Sequence, residues 1–395
     1  MGSSGIKVAI SGGGIGGLAA ALSLHARGVD VTVYEQAREL GEIGAGVLMT
    51  PNGVRHLERL GVGAALAELG GPVSDGSTYY RMDGTVVAPI LTTDSSGWNG
   101  MYGMHRADLL SIIADALPAG MVQTAHRCVD FEQDADSARI TFENGTTVEA
   151  DAVIAADGIH SSLQRYVTPP SSPVHSGSVA YRGLLHMDHL PTWPRGVSQL
   201  WMGDGKHFLT YPVRSGELLC YVGFIPSDEH AVESWSAPGD PVALAEAFRG
   251  WDSPVEELLS KVESTYWWGL YDREPLPTWT NGRLALMGDA AHPMLPHLGQ
   301  GANQAIEDGA ALAIMLAEAD RDSVAEALAS YESLRRPRTT AVQSGARDNG
   351  RRYDSQYDDL EQRDAEIAAS AKFRCWLYDY DVAAEAGVTP AAQSV

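Results

Sequence analysis

IKVAISGGGIGGLAAALSLHARGVDVTVYE, residues 6–35, decides how the rest of the chain is read. Ile6 to Ser11 is a short apolar run with the composition of a buried strand. Gly12-x-Gly14-x-x-Gly17 follows at once, and an Ala/Leu-rich helix runs from Leu18 until Gly28 stops it. A second strand spans Val29 to Glu35. Glycines at these spacings allow a tight turn, close backbone approach to a pyrophosphate, and close packing of helix on strand. The helix start turns its free N–H groups toward the phosphates. Glu35, ending the second strand, is placed to accept hydrogen bonds from an adenosine ribose. With strand, turn, helix and acid in register, Gly12, Gly14, Gly17 and Glu35 predict a dinucleotide site, without distinguishing NAD from FAD.

Further strands are expected at 121–131, 138–143 and 147–156, the last an apolar run closing on Ala155-Ala156-Asp157-Gly158. A Pro/Ser stretch from Thr168 to Pro173 reads as a linker. Beyond it the pattern changes to strands near 177–186, 197–202, 206–213 and 218–225, which suits an antiparallel sheet rather than βαβ repetition. Helices are expected at 241–249 and 254–261, and a strand through Tyr266-Trp267-Trp268. The α/β pattern returns with a strand at Arg283–Met287 and a helix from about Gly301 to Ala319. The fold class is therefore α/β, a Rossmann-like domain with an inserted antiparallel-sheet domain. The nucleotide lobe is discontinuous, over 1–75, 100–175 and 275–345. The second lobe takes 76–99 and 176–274, and 346–395 reads as a polar helix and tail carrying Phe373, Trp376, Tyr378 and Tyr380.

The 395 residues suffice for two or three lobes with buried cores. Acidic residues outnumber basic ones 51 to 28, a net charge of −23, which speaks against nucleic acid or an anionic membrane as partner. Cys128, Cys220 and Cys375 are scattered, without CxxC spacing; this suits a reducing cytoplasm and offers no metal framework. Glycines 12 to 17 interrupt the first apolar run, so neither a signal peptide nor a membrane span is expected.

Two more segments close buried strands: Ala155-Ala156-Asp157-Gly158 and Leu286-Met287-Gly288-Asp289-Ala290-Ala291-His292. In the order GxGxxG, Asp-Gly, Gly-Asp, the chain resembles the flavoprotein aromatic hydroxylases of the p-hydroxybenzoate hydroxylase fold over about residues 6–345. Gly44-Ala45-Gly46, His105-Arg106-Ala107-Asp108-Leu109 and Pro296-His297-Leu298-Gly299-Gln300-Gly301-Ala302-Asn303 add to the match. The resemblance implies non-covalently bound FAD, with Asp289 on the ribityl chain, Arg106 at the ribityl–pyrophosphate region and Asp157 helping to hold the pyrophosphate. Gly299, Gly301 and Ala302 open a helix whose inward stripe is Ala302, Ala305, Ile306, Gly309, Leu312 and Leu316. The positive end of that helix, aimed at the flavin N1–C2=O edge, would stabilise anionic reduced flavin.

Within the fold, the chain looks most like the salicylate, 3-hydroxybenzoate and 6-hydroxynicotinate hydroxylases, through Gly205–Pro212, Trp268–Pro275, Pro296–Asp308 and Trp376-Leu377-Tyr378. The resemblance implies transient NADH or NADPH, O2, a flavin C4a-hydroperoxide and a small aromatic substrate. CO2 leaves if the hydroxylated carbon carries a carboxylate. Strand alternation puts His207, Leu209 and Tyr211 on one face. Four positions span about 13 Å, so His207 and Tyr211 could bracket a ring. His207 or His297 could take the phenol proton. His292 reads as structural, and Arg182 is a candidate carboxylate clamp. Leu48 stands where the 6-hydroxynicotinate enzymes carry a His, which weighs against that substrate. Alternatives are a tailoring hydroxylase or epoxidase of a larger natural product, a non-catalytic flavin-binding regulator, and an NAD-dependent dehydrogenase using GxGxxG alone. A homodimer is left open.

Overall fold

Apolar runs without alternation need cover on both faces, and the strand Lys7–Ser11 finds it in the middle of a parallel sheet. It pairs in parallel with Asp30–Tyr34 on one side and Ala152–Ala155 on the other. Leu284–Leu286 and Val122–Gln123 extend the sheet in parallel, and Thr280–Asn281 adds an antiparallel edge. The computed structural model describes residues 5–41, 46–169, 172–227 and 237–388. Gly44 and Ala45 of the expected Gly-Ala-Gly match, Pro170 and Ser171 of the Pro/Ser stretch, and the end of the tail lie outside the described residues.

The run expected as one strand at 147–156 is two strands in different sheets. Thr147–Ala150 joins Ala138–Phe142 and Cys128–Gln133 in an antiparallel sheet, whereas Ala152–Ala155 belongs to the parallel one. Asp151 makes the crossing: its N–H donates to Lys7 O at 2.8 Å, and its carboxylate accepts from Lys7 N at 2.7 Å. Likewise 121–131 divides into Val122–Gln123 and Cys128–Gln133, with Ala125 in the left-handed region between them (φ 57°). Apolar runs reveal burial; they do not reveal a change of sheet.

The second lobe is an eight-stranded sheet in the order Pro238–Gly239, Thr265–Asp272, Val174–His186, Leu218–Pro226, Lys206–Val213, Gln199–Gly203, Thr78–Arg81, Val86–Pro89. It is antiparallel except where Thr78–Arg81 lies parallel to Gln199–Gly203. One face, with Phe208 and Tyr221, packs on the helices Pro241–Ala247 and Ser253–Leu259. The other carries Ala180, Leu209, Tyr211, Cys220, Val222, Phe224 and Trp268 toward the first lobe.

Two long helices complete the packing, and the second reaches both lobes. Gly301–Ala317 crosses Ile15–Ala26 so closely that a Cβ on Gly309 would lie 2.8 Å from Ala20 Cα. Val324–Asp354 runs 31 residues through Pro337, so no helix begins at 346. Nor are the residues after it a loose tail. The helices Leu360–Ala369, Ala371–Tyr378 and Val382–Glu385 pack down, with Leu377 and Tyr378 wholly buried and Arg363 and Arg374 nearly so. Arg374 bonds the Tyr353 and Tyr378 hydroxyls, which lets its charged head be buried. Among the described residues, no helix is long and apolar enough to cross a membrane.

Candidate active site

The glycine turn does two separable things. Gly12 has φ +116°, and a Cβ there would meet Ala156 O at 2.2 Å; a Cβ on Gly17 would lie 2.0 Å from Gly12 O. These two glycines are demanded by packing. Gly14 is different: a Cβ there meets nothing within 4 Å, so it would project into open space before the helix Ile15–Ala26. Glu35 accepts from Gly13 N at 2.6 Å and Ala37 N at 2.7 Å, fixing the turn at its outer end. An accessible turn backed by N–H groups and an acid is the cradle a dinucleotide pyrophosphate and ribose require.

From this cradle a seam of small residues runs inward. Ala305 Cβ would meet a Cβ on Gly16 at 2.9 Å and one on Gly288 at 3.3 Å. Beyond it stands Asp289, exposed yet so ringed by protein that desolvation raises its carboxyl, with His292 and Arg106 acting against the rise. Arg106 begins the helix Arg106–Asp115; burial lowers its pKa, and Asp289 is the acid that raises it. A Cβ on Gly301 would have Asp289 Oδ1 as its one neighbour, at 3.9 Å. Gly299 is left-handed (φ 65°), and a Cβ there would lie 3.5 Å from Leu48 Cβ. Asp157 lies at the cradle end: its backbone N packs on Gly12, its Oδ2 accepts from Ser162 N at 2.8 Å, and burial raises its carboxyl. Arg106 and Gly301 thus stand near Asp289, and Asp157 stands beside Gly12, so acids, a guanidinium and open backbone of the kind that the ribityl chain and pyrophosphate of FAD require occur at these positions.

Behind the Gly299–Ala302 turn lies a polar layer that sequence reasoning missed. The helix Gly301–Ala317 buries Asn303, Gln304, Glu307 and Asp308 as well as its apolar stripe. Arg335 holds Glu307 at 2.6 Å and Asp308 at 2.9 Å, and Arg338 holds Glu307 at 2.8 Å. Burial opposes ionisation, but Arg338 and Arg335 keep Glu307 down to about 2, and His292 and Arg335 keep Asp308 down to about 2. His292 Nε2 lies 2.6 Å from Asp308 and its ring tilts against Trp279. Asn303 donates to Leu48 O and Gly299 O and accepts from Thr50 N, tying the turn to the strand Gly46–Met49. The Arg335-Arg336-x-Arg338 cluster, opposite acids at helical spacing, was the available signal.

On the sheet side, His207 is buried with its ring stacked on Phe224, centroids 4.0 Å apart at 10°. His297 lies edge-on to it at 5.2 Å, and burial, then His207, lowers the His297 pKa well below the usual imidazole value. His207 Nδ1 sits 2.5 Å from an Asp354 carboxylate oxygen, a residue absent from the sequence reading. Tyr211 shares the face, but its hydroxyl faces Cys220 and the Gly46 backbone, and burial pushes its pKa well up. Arg182 is buried over Trp268 at 4.6 Å, beside Tyr211 and Cys220, with burial lowering it to about 10.

A family profile described as FAD binding domain matches residues 5–346. A 3-amino-4-hydroxybenzoate 2-monooxygenase of Streptomyces platensis is 38% identical over 95% of this chain and 96% of its own length. A salicylate hydroxylase of Pseudomonas putida is 33% identical over 96% of this chain and 93% of its own. A solved salicylate hydroxylase substrate complex superposes with TM-score 0.85 at 30% identity, covering 99% of this chain and 100% of that one. The glycine turn with Glu35, Asp289 set near Arg106, and these likenesses along nearly the whole chain agree: the chain belongs to the FAD binding domain family and is an FAD-dependent monooxygenase.

Proposed function

We propose that the enzyme hydroxylates a small phenolic or hydroxypyridine-type aromatic, using NAD(P)H and O2. The carrying observation is His207 and His297, 5.2 Å apart, buried where the Gly299–Ala302 turn meets an apolar sheet face. Support comes from the names of relatives, which act on 3-amino-4-hydroxybenzoate, salicylate and 6-hydroxynicotinate. Leu48, beside Gly299, makes a hydroxypyridine the less favoured of these.

FAD, once bound and reduced by NAD(P)H, supplies the oxygen transfer. The protein's tasks are to hold the ring, take its phenolic proton and keep water out. In this reading segments 1–75, 100–175 and 275–345 hold FAD through Gly12, Gly14, Gly17, Glu35, Arg106, Asp157, Asp289, Gly299, Gly301 and Ala302. Segments 76–99 and 176–274 shape the substrate pocket, which 346–395 backs. His207 takes the proton, because an imidazole beside a carboxylate tolerates becoming a cation, whereas His297 is held neutral. His297 accepts or donates to the substrate as a neutral ring. Tyr211 packs against the ring and orders the pocket floor with Cys220. The apolar walls exclude water, which would otherwise release peroxide unproductively.

A panel of phenolic acids and hydroxypyridines, scored for stimulated NAD(P)H oxidation with product identification, tests the reading. His207→Ala should keep FAD and lower hydroxylation on the order of 10²–10⁴-fold, with peroxide replacing product. If no aromatic stimulates oxidation, or His207→Ala stays coupled at the normal rate, the assignment is wrong.

A further inference from the structure

The carboxylate against His207 comes from the far end of the chain's longest helix. Asp354 is the last residue of Val324–Asp354 and 147 positions from its partner. Its oxygen lies 2.5 Å from Nδ1, and the His207 side chain is 2% exposed against 19% for Asp354. Phe224 clamps the imidazole face, so the ring cannot turn away without losing the stack. Among the described residues, the titratable groups facing the ring are Asp354 and Tyr353 from the helix and His297 from the turn; the neighbouring strands offer apolar Phe224 and Met202. Among the described residues, one acid therefore faces two imidazoles, and it touches only one of them.

We propose that Asp354 is a positioning residue that keeps the proton of neutral His207 on Nδ1, leaving Nε2 as the lone-pair nitrogen that accepts the substrate proton. An ionised carboxylate can only accept a hydrogen bond, so the nitrogen it touches must carry the hydrogen. When Nε2 gains the phenol proton, the ring becomes a cation beside an anion, at a helix C-terminus whose dipole also favours positive charge. Asp354 accepts the Nδ1 hydrogen bond throughout and passes nothing on. The balance is simple: the phenol O–H bond breaks, the Nε2–H bond forms, and the phenolate is left for oxygen transfer. Oriented in this way, His207 differs from His297, which has no carboxylate on its ring among the described contacts and stays neutral.

This rests on the base role given to His207 above, and the test has two arms so that the two ideas fail separately. In the first, imidazole nitrogens are labelled with ¹⁵N in the FAD-loaded enzyme, and the His207 signals are assigned by comparison with His207→Gln. A protonated Nδ1 in the wild type that is lost or exchange-broadened in Asp354→Asn is expected. In the second, Asp354→Asn should bind FAD and substrate normally and lose kcat on the order of 10²-fold or more with little change in KM. Its acid limb in kcat should move to lower pH, and Asp354→Glu should restore part of the rate. An Asp354→Asn enzyme with unchanged kcat and pH profile, or a wild type protonated on Nε2, overturns the proposal. A wild type that keeps the Nδ1 proton yet hydroxylates no aromatic sinks the base role and leaves the carboxylate–imidazole pair standing.

Discussion

Gly14 and Gly17, three positions apart, differ in what they would tolerate. Gly14 is extended (φ −73°, ψ −179°), a conformation any residue adopts, and its Cβ position is empty. Gly14→Val should therefore fold with a melting behaviour near that of the apo wild type, within about 0.5 kcal/mol, yet fail to retain FAD. Gly17→Ala drives a methyl into Gly12 O and should destabilise the apoprotein itself. Thermal melts of the two apo variants, beside FAD titrations, separate the roles; FAD binding by Gly14→Val would place the pyrophosphate elsewhere. Asp289→Ala should weaken FAD by about 1.5–3 kcal/mol through loss of a charged acceptor, read by titration of apoprotein. The motif residues were legible in the sequence because turn chemistry is local. Asp354 was not, because nothing in a chain marks which residue 147 positions away will meet a histidine.

The helix Gly301–Ala317 shows how an element can satisfy two demands at once. Its small residues let Ile15–Ala26 approach, and its acids descend into a layer of arginines. Its apolar stripe was readable by period. Its buried polar side was not, since Gln304, Glu307 and Asp308 in sequence look like an ordinary solvated face until Arg335 and Arg338 arrive from the next helix. Glu307→Gln should cost about 3–5 kcal/mol, because two buried guanidinium groups lose their shared anion. The acid sensitivity has a definite sign. Glu307 ionises near 2 when folded against an ordinary 4.5, so between those values the unfolded chain binds the extra proton. Its stabilisation is complete above about pH 4.5 and is lost as the pH falls through 2. FAD release and near-UV dichroism, followed downward from pH 5, should show a shallower acid limb in Glu307→Gln than in the wild type.

Across the whole molecule, the two-lobe organisation followed from where alternation replaces continuous apolar runs, but the closing helices did not. Residues 360–385 carry mixed charge and read as a tail, since the partners that allow Arg363 and Arg374 to be buried include Met202 O and the Tyr353 hydroxyl, which they meet only in the fold. Deleting everything after Asp354 would bare Tyr79 and Tyr353 and remove Arg374 and Tyr378. Such a truncated chain should still carry the complete glycine cradle, bind FAD more weakly and melt at lower temperature; an unchanged melt would mean that these helices merely decorate the surface.

The helix Val324–Asp354 spans about 46 Å at 1.5 Å per residue. Near its start Tyr331 bonds Leu286 O, on the parallel sheet, and at its end Gly350 abuts His297 while Asp354 holds His207. It works as a gauge block between the two lobes, fixing how far the histidine pair stands from the parallel sheet. Recombination between relatives must respect it. A chimera that exchanges the large sheet alone would pair one parent's histidine with the other parent's helix end, whereas a crossover that carries residues 346–354 with the sheet keeps the gauge and its target together.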